Sequence, residues 1–389
     1  MLLAVPTETA PHERRVAAVP ETVAKLRAAG LDVIVQSGAG AGASYPDEAY
    51  AEQGAELVPD PAELFGRADV VCKVAPPDPA EVALMRPGAA YLGFLPTGAA
   101  ESIRALAARK VDAYSLDLLP RISRAQSMDA LSSQATVAGY RAALVAAALL
   151  PRFFPMLITA AGTVPPARVL VLGAGVAGLQ AIATTRRLGA VVSAYDVRAA
   201  AGEEVRSLGA TFLQLELATQ EGAGGYARVQ DEDFLARQRE LIGTHVAASD
   251  AVITTALVPG RPAPRLVTAE MVTAMRPGSA VVDLAAETGG NCELARPGET
   301  VEVGGVRVWG ARNVASSMPV HASMLYARNL ANLVTLMVRD GAFAPDPDDE
   351  IVSGTRVTTG GEVVHPLVLD LMGRQPDAPR GAVDKEDGR

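Results

Sequence analysis

The sequence predicts an α/β protein with two doubly wound parallel-sheet domains separated by a cleft, the C-terminal segment returning to the first domain. Three observations support this prediction. Short apolar runs alternate with helical patterns through the first 120 residues, and a second such series follows the proline pair at 165–166. The apolar runs are unbroken, which is typical of strands buried on both faces of a parallel sheet. Only 4% of residues are aromatic, and abundant alanine, valine and glycine suit close packing of helices on strands.

The predicted elements follow this alternation. In the first domain, strands are predicted at MLLAVP, LDVIVQ, DVVCKVAP, AAYLGFLP and VDAYSLDLL, and helices at ETVAKLRAAG, PDEAYAEQGA and ESIRALAARK. Most of these helices end on glycine or a basic residue, as helix C-termini favour. An alanine-rich helix is predicted from about 136 to 150, before strands at RVLVLG, VVSAYDV, TFLQLE, DAVITTAL and SAVVDLA. A loop and a long helix are predicted over 311–340.

These elements divide into two domains. The first is predicted at 1–135 and 320–375, and the second, a Rossmann-like domain, at 136–319. Residues 376–389 are polar and rich in proline and glycine, so we expect them to be disordered. A polar, glycine-rich insertion at 221–234 is either a mobile functional loop or plain disorder.

Composition and charge argue against several classes of protein. The net charge of −9 and the lack of a basic stripe disfavour a nucleic-acid partner. Cys72 and Cys292 lie far apart and form no CxxC pair, which disfavours a metal site or a disulfide framework and indicates a reducing compartment. The longest apolar stretch, 142–162, is interrupted by two prolines and an arginine and is not expected to span a bilayer. The N-terminus lacks the pattern of a signal peptide, so we expect a protein that is soluble or peripheral to a membrane.

The segment RVLVLGAGVAGLQAIATTRRLGAVVSAYDVR carries a dinucleotide fingerprint. Gly173, Gly175 and Gly178 satisfy the G-x-G-x-x-G pattern between an apolar strand and an amphipathic helix. The first glycine permits a tight turn, the second lets the backbone approach a pyrophosphate, and the third lets helix and strand pack closely. The start of the helix, around Val176 to Leu179, offers backbone N–H groups to the phosphate charge.

An acidic residue follows this turn at the expected distance. Asp196 ends the second strand about twenty residues after the glycines, where a carboxylate accepts hydrogen bonds from the adenosine ribose. Because a carboxylate repels a 2′-phosphate, the sequence predicts NAD rather than NADP, although Arg198 weakens that preference. The cofactor-binding set predicted on this segment is Gly173, Gly175, Val176, Ala177, Gly178, Leu179, Asp196, Val197 and Arg198.

Other candidate residues allow two interpretations. Leu257, at the end of a later strand, is either a wall of the dinucleotide site or a core leucine. Lys73, after an apolar strand, is either a buried lysine that holds a carboxylate or a lysine that extends its amine to solvent. No metal-ligand cluster is readable in the sequence, and no histidine lies in a recognisable catalytic motif: the four are His12, His245, His321 and His365.

The polar stretch RISRAQSMDALSSQ at 121–134 makes the prediction more specific, together with PTETAPHERRVAAVPETV, the fingerprint segment, ITTALVPGRPAP and MPVHASMLYARNL. These segments are similar to the NAD(H)-binding domain I of proton-translocating NAD(P) transhydrogenase, a portion of its alpha subunit, in the alanine dehydrogenase/transhydrogenase superfamily. The resemblance covers nearly the whole chain. It implies that residues 121–134, which we name the signature stretch, reach over the nicotinamide end of NAD(H).

The resemblance also implies roles for single residues. Arg121 and Ser132 resemble ligands of the nicotinamide carboxamide and its surroundings. Gln126 and Asp129 resemble the cofactor-side polar pair and are our candidates for catalytic residues; Gln126 is similar to the glutamine that contacts NADP(H) on a partner domain. The remaining residues implied to bind or border NAD(H) are Gly225 and Tyr226, on a mobile loop, and Gln238 and Leu257.

The implied activity is direct hydride transfer between NAD(H) on this chain and NADP(H) on a partner domain, coupled to proton translocation. Such a transfer moves no substrate proton, so it needs no general acid or base; it needs two rings in near-attack contact with water excluded. The resemblance implies a homodimer at the cytoplasmic face of a membrane. It also implies that the membrane-spanning subunit and the NADP(H)-binding beta subunit are separate polypeptides, and that no metal takes part.

Two rival functions share features with this one. Alanine dehydrogenase is similar in architecture, and Glu8, Arg15 and Lys73 match its substrate-binding set, which would make this chain an NAD-dependent amino-acid oxidoreductase. Gly93 or a neighbour stands where that enzyme has its catalytic histidine, and Glu287, in AETGG, stands in its later acid motif. These departures favour the transhydrogenase and make Arg15 and Lys73 structural remnants. The other rival is a non-catalytic NAD sensor.

Overall fold

The computed structural model describes residues 1–214, 232–258 and 261–374. Contacts between residues divide the chain into two compact units. The first unit comprises Met1–Ala10, Val16–Asp129 and the chain from Ala327 onward, and the second comprises Pro11–Arg15 and Ala130–Tyr326.

Helices and strands alternate along most of the chain. Up to Asp129 they are β1 (Leu2–Val5), α1 (Pro20–Ala28), β2 (Asp32–Gln36), α2 (Asp47–Glu52), β3 (Glu56–Val58), α3 (Pro61–Arg67), β4 (Val70–Cys72), α4 (Pro79–Leu84), β5 (Ala90–Gly93), α5 (Ala100–Ala108) and β6 (Asp112–Ser115). From Ala130 they are α6 (Ala130–Leu149), β7 (Leu157–Thr159), β8 (Gly162–Val164), β9 (Arg168–Leu172), α7 (Val176–Arg187), β10 (Val191–Tyr195), α8 (Ala201–Ser207), β11 (Thr211–Leu213), α9 (Glu232–Ala248), β12 (Ala251–Thr254), α10 (Ala269–Thr273), β13 (Ala280–Asp283), β14 (Thr300–Val303), β15 (Val306–Gly310) and α11 (Pro319–Leu336). The last elements are β16 (Val338–Arg339), β17 (Ala342–Phe343), α12 (Glu350–Thr355), β18 (Arg356–Thr359), β19 (Glu362–Val363) and α13 (Pro366–Arg374).

The first unit contains an eight-stranded sheet in the order β19-β18-β6-β5-β4-β1-β2-β3. From β6 to β3 all neighbours pair in parallel, whereas β18 and β19 add an antiparallel edge. Every residue of β4 and β5 is buried, as their unbroken apolar sequences predict for the centre of a parallel sheet. Side chains such as Phe65, Tyr91 and Ile103 fill the core between this sheet and its helices.

The second unit contains a seven-stranded sheet in the order β11-β10-β9-β12-β13-β15-β14. Its six parallel strands follow the 3-2-1-4-5-6 order of dinucleotide-binding sheets, and β14 pairs antiparallel at the edge. Alternate residues of β9 serve two cores: Val169 and Val171 pack with α6 and α7, and Leu170 and Leu172 pack with α9. Both faces of the sheet are therefore covered, and the predicted class of two doubly wound parallel-sheet domains is confirmed.

The observed elements differ from the predicted ones in two respects. Helix α6 begins at Ala130 rather than near 136, so the end of the signature stretch is helical. Its polar residues do not interrupt the helix because their hydroxyls bond the helix's own carbonyls: Ser133 donates to Ala130, and Thr136 donates to Ser132. The edge strands β14, β18 and β19 and the hairpin β7–β8 are not predicted by the sequence pattern, because strands of two to four residues are too short to show a period.

Candidate nucleotide-binding site

The fold brings two loops together in the middle of the second sheet. Strands β9 and β12 are neighbours, but the chain continues from β9 to β10 on one side and from β12 to β13 on the other. The loops after the two strands therefore diverge at the carboxyl edge of the sheet, and open α/β sheets bind ligands in the crevice at this point. Thr255 ties the loops together, since its N–H donates to Leu172 O and its hydroxyl donates to Gly173 O at 3.0 Å.

The three fingerprint glycines have different surroundings. Gly173 has a φ of +99°, and a Cβ on it would lie 2.6 Å from Thr255 Oγ1. A Cβ on Gly178 would overlap the carbonyl group of Gly173, so close packing excludes a side chain there. Gly175 differs because a Cβ on it would meet nothing within 4 Å, and its φ of −78° suits any residue. The protein itself would accept a side chain at Gly175, and this open space is what the approach of a pyrophosphate requires.

The start of α7 provides a second feature that suits a phosphate. Helix α7 begins at Val176, and its N-cap residue, Gly175, has no side chain to accept the first N–H groups. The N–H of Leu179 bonds Gly175 O at 2.8 Å. The N–H groups of the preceding turn, on Val176, Ala177 and Gly178, have no acceptor within the helix, and the helix dipole adds positive potential at this end. An anion is therefore favoured here.

Asp196 lies directly after β10 and contacts the fingerprint turn. Its Oδ2 accepts the N–H of Ala174 at 2.7 Å, so the strand end and the turn hold each other in place. Arg198 forms a two-pronged ion pair with the carboxylate, through Nε at 3.0 Å and Nη2 at 3.2 Å. The Asp196 side chain is 8% exposed and the Arg198 side chain 44% exposed. Val197, between them in sequence, packs against the core of the second unit.

Gln238, on α9, supports the strand that carries Asp196. It is buried, and its Nε2 donates to the hydroxyl of Tyr195 at 3.0 Å. Burial raises the pKa of Tyr195, although the hydrogen bond from Gln238 acts in the opposite direction. Tyr195 therefore stays a neutral phenol, and Gln238 acts on the site through the position of the strand end.

The loop after β12 exposes Leu257. Its side chain is 55% exposed, so the interpretation of Leu257 as a core leucine is wrong. Asn291 is fully buried and holds this loop: its Oδ1 accepts the N–H of Ala256 at 2.9 Å, and its Nδ2 donates to the carbonyls of Ala256 and Pro264 at 2.8 Å each. Sequence reasoning missed Asn291, because a single asparagine gives no signal when its partners lie 27 and 35 positions away.

The signature stretch begins in the first unit. Ser123–Met128 form a 3-10 helix that is anchored by the buried Ala125 and Met128. The carbonyl of Ser127 accepts the side-chain amides of two asparagines of α11, each at 2.9 Å. The predicted site residues in this segment are Arg121 and Gln126, which are exposed, and Asp129, which is half-buried. The structure therefore presents them on a short, well-anchored helical turn.

The rest of the signature stretch belongs to the second unit, on α6. Ser132 is half-buried in the first turn of this helix. Further along α6, a Cβ on Gly139 would overlap the carbonyl group of Ala177 in α7. The two helices therefore touch backbone to backbone, and this contact fixes the position of Ser132 relative to the fingerprint turn.

Lys73, a candidate for binding a substrate carboxylate, is engaged by carboxylates of this chain. It is 1% exposed, and its Nζ lies 2.5 Å from Glu81 Oε1 and 3.7 Å from Glu8 Oε2. The interpretation of Lys73 as a lysine that reaches solvent is therefore wrong. A Cβ on Gly93, at the end of β5, would overlap the carbonyl of Lys73 and lie 2.6 Å from the hydroxyl of Tyr91, so the backbone there leaves no room for a histidine side chain.

Arg15 is engaged in the same way within the second unit. Its guanidinium pairs with Glu13 at 2.6 Å and donates to Gln134 at 2.9 Å and to Asn313 at 3.2 Å. Burial alone would raise the pKa of Glu13, but the hydrogen bonds and charge of Arg15 outweigh this effect and lower the pKa to about 2. Glu13 is thus ionised at neutral pH and compensates the charge of Arg15.

Two of the predicted site residues, Gly225 and Tyr226, lie outside the described residues. Within the stretches of the chain that the structure describes, no group of histidine, cysteine, aspartate and glutamate side chains is arranged to hold a metal ion. Nor does any helix in residues 1–214, 232–258 or 261–374 combine the length and apolar character that crossing a bilayer requires.

The switch point, the open glycine turn and the adjacent acid define a dinucleotide-binding protein of the doubly wound α/β class. The chain belongs to the alanine dehydrogenase/PNT family, whose N-terminal domain model matches residues 4–138 and whose C-terminal domain model matches residues 142–366. It is 50% identical over 381 residues to the first polypeptide of the NAD(P) transhydrogenase alpha subunit of Rhodospirillum rubrum, in an alignment that covers 95% of this chain and 99% of that protein.

A solved structure and a second relative distinguish the two branches of the family. The crystal structure of transhydrogenase from Sinorhizobium meliloti is 48% identical and matches with a TM-score of 0.86 over 94% of this chain and 100% of that one. Alanine dehydrogenase of Bacillus subtilis is 29% identical, over 96% of this chain and 95% of that protein. The predictions of a transhydrogenase alpha-subunit protein and of an oxidoreductase are confirmed, and the alanine dehydrogenase alternative is the more distant one.

Proposed function

We propose that this chain is the NAD(H)-binding component of a proton-translocating transhydrogenase, and that it exchanges a hydride directly between its own NAD(H) and NADP(H) on a partner domain. The observation that carries this proposal is the fingerprint turn. Open space at Gly175, the start of α7 and the adjacent Asp196 occur together, in a chain 50% identical to a transhydrogenase alpha subunit. The nicotinamide supplies the hydride chemistry: NADH + NADP⁺ ⇌ NAD⁺ + NADPH.

The residues of this chain bind and orient the nucleotide rather than transfer protons. The backbone of the fingerprint turn and the start of α7 receive the pyrophosphate, and Asp196 receives the adenosine ribose and disfavours a 2′-phosphate. Because hydride exchange between two nicotinamides releases no substrate proton, no general acid or base is required. Alignment of the rings and exclusion of water are sufficient.

We assign the nicotinamide end of the site to the signature stretch. Arg121 and Ser132 would hold the carboxamide, and Asp129 and Gln126 would form the polar pair at the point of transfer. Gln126 suits a contact with NADP(H) on the partner because it is exposed on an anchored 3-10 helix. The roles of Gly225, Tyr226, Gln238 and Leu257 as residues of the mobile loop and border of the site are also included in this proposal.

Amino-acid oxidation is disfavoured by the state of the cationic residues. A substrate carboxylate needs a cation that is available to it, but Lys73 is sealed against Glu81, and Arg15 is paired with Glu13. The close approach of backbone at Gly93 also excludes a proton-transferring side chain there. These contacts support the interpretation of Arg15 and Lys73 as structural residues.

We further propose that the chain forms a homodimer that binds a membrane-spanning subunit and an NADP(H)-binding beta subunit, peripherally at the cytoplasmic face of the plasma membrane. Apolar side chains on and before the hairpin β7–β8 support the dimer. Phe153, Met156 and Ile158 are 57%, 56% and 77% exposed, and such a cluster is unusual on the surface of a monomer. Sedimentation of an Ile158→Lys, Phe153→Lys variant should give a monomer; a dimer as stable as the wild type would contradict this assignment.

Two activities of the purified chain test the proposed function. With the NADP(H)-binding partner added, we expect NADH-dependent reduction of thio-NADP⁺; with alanine and NAD⁺, we expect no reduction. Gln126→Asn should slow hydride exchange about tenfold or more while leaving NADH binding within about twofold. Gln53→Asn, at another exposed glutamine of the first unit, is the matched control and should change neither. Equal losses of exchange and binding in Gln126→Asn would contradict the assigned role.

A further inference from the structure

The carboxylate of Asp196 already receives as many hydrogen bonds as it can accept. An ionised carboxylate has about four acceptor positions, two on each oxygen. Oδ1 accepts the backbone N–H of Arg198 at 2.8 Å and its Nε at 3.0 Å. Oδ2 accepts the N–H of Ala174 at 2.7 Å and Nη2 of Arg198 at 3.2 Å. With these four donors in place, the carboxylate has no position for a ribose hydroxyl.

The four donors differ in their freedom to move. The N–H groups of Ala174 and Arg198 belong to the fingerprint turn and to the end of β10, and the fold fixes both. The guanidinium of Arg198 is attached to a long side chain that is 44% exposed, so it can leave the carboxylate for solvent. It holds one position on each oxygen, and the adenosine ribose offers two hydroxyls. The guanidinium therefore occupies the positions that a ribose would use.

We propose that Arg198 is a specificity-determining residue of the nucleotide site, whose guanidinium competes with the adenosine ribose for Asp196 and is displaced when NAD(H) binds. This inference rests on the proposed function, because it requires NAD(H) to bind at the fingerprint turn. Once released, the cationic side chain lies next to the ribose, where it attracts a 2′-phosphate. The charge of Asp196 opposes that attraction, so the pair sets the balance between NAD(H) and NADP(H).

Fluorescence titration with NADH, NADPH and reduced nicotinamide mononucleotide tests this proposal without relying on hydride exchange. Arg198→Met keeps the length of the side chain but removes its donors. We expect it to bind NADH about twofold to fivefold more tightly, because no competing ion pair has to break. Reduced nicotinamide mononucleotide has no adenosine ribose, so its affinity should not change. Arg187→Met, in the last turn of α7 and far along the helix from the fingerprint turn, is the matched control and should match the wild type.

A second pair of variants tests the effect on the 2′-phosphate. Asp196→Asn should raise the affinity for NADPH about tenfold, because the amide does not repel the phosphate and Arg198 is free to pair with it. Adding Arg198→Met to this variant should abolish that gain, whereas adding Arg187→Met should leave it. Thermal unfolding of each variant identifies any that fail to fold.

The outcomes separate this inference from the proposed function. Wild-type protein that does not bind NADH would overturn both. Wild-type protein that binds NADH, with an Arg198→Met affinity for NADH equal to or weaker than the wild-type value, would overturn the competition by Arg198 alone. A gain for NADPH that persists in the double variant would show that Arg198 does not recognise the 2′-phosphate.

Discussion

Each of the two units has a cation in contact with a carboxylate just after a parallel strand, but the two contacts differ in burial. Lys73 follows β4, is 1% exposed and touches Glu81 and Glu8. Arg198 follows β10, is 44% exposed and pairs with Asp196. A buried pair cannot separate without leaving an uncompensated charge in the interior, whereas an exposed guanidinium can move into water. Burial therefore decides which contact is permanent and which can be exchanged for a ligand.

The largest expected effect comes from breaking the permanent contact. Lys73→Met should lower the free energy of unfolding by about 3–5 kcal/mol, because it leaves the carboxylates of Glu81 and Glu8 buried without their cation. Urea-induced unfolding followed by circular dichroism measures this change. Lys73→Met with Glu81→Gln should recover some of the loss, because a neutral amide requires no cation. A loss below about 1 kcal/mol in the single variant would show that the contact is no more permanent than a surface pair.

Asp117 sharpens the comparison because its carboxylate is buried against neutral donors, the N–H of Leu95 at 2.7 Å and the hydroxyl of Ser115 at 3.3 Å. Burial raises the pKa of Asp117 from 3.8 to about 6, although these hydrogen bonds act to lower it. The folded state therefore holds the proton more tightly than the unfolded state. This contribution is complete below pH 3.8 and is lost as the pH rises through 6.

Asp117→Asn should remove this pH dependence. The amide oxygen keeps the acceptor for Leu95 and carries no charge, so at pH 8 the variant should be more stable than the wild type by about 2–3 kcal/mol. At pH 4 the two proteins should have nearly equal stability. Unfolding midpoints measured from pH 4 to pH 8 give the difference curve, and parallel curves for the two proteins would contradict the raised pKa.

The nucleotide site should show a smaller effect, on binding rather than on stability. Gly175→Ala adds a methyl group in open space, so the unfolding midpoint should stay unchanged. The same methyl group stands where a pyrophosphate approaches the backbone, so NADH should bind about tenfold more weakly, by about 1.4 kcal/mol. Gly66→Ala, at another glycine whose Cβ would meet nothing within 4 Å, should bind NADH normally. Normal NADH affinity in Gly175→Ala would place the phosphates elsewhere.

Breaking the exchangeable contact should have the smallest effect on stability. Arg198→Met should change the free energy of unfolding by less than about 1 kcal/mol, because the guanidinium is largely solvated in either position. The comparison with Lys73→Met under the same conditions is the direct check on the role of burial. A destabilisation of similar size in both variants would mean that Arg198 also has a structural role.

Local patterns in the sequence predicted much of the fold and the phosphate end of the site. The fingerprint lies at the predicted strand–helix junction, and Asp196 lies beside it, because a tight turn, a helix start and a strand end all depend on neighbouring residues. Composition and apolar runs were enough to predict the doubly wound class. The roles assigned to Arg121, Gln126, Asp129 and Ser132 come from family resemblance and stay predictions.

Contacts between distant positions could not be predicted in the same way. Asn291 holds the loop of Leu257 by bonding Ala256, which lies 35 positions away, and no local pattern marks it. The start of α6 was also missed, because the polar residues of its first turns resemble a loop until their hydroxyls are seen to bond the helix.

The sequence by itself determined the parallel α/β class, the dinucleotide turn with its acid, and the family, since these depend on residue type and short spacing. Only the tertiary structure decided that Lys73 is sealed between carboxylates, that Leu257 is exposed, and that Arg198 fills the acceptor positions of Asp196. Burial and hydrogen-bond saturation are sums over neighbours from distant segments of the chain, and those neighbours are assembled only by folding.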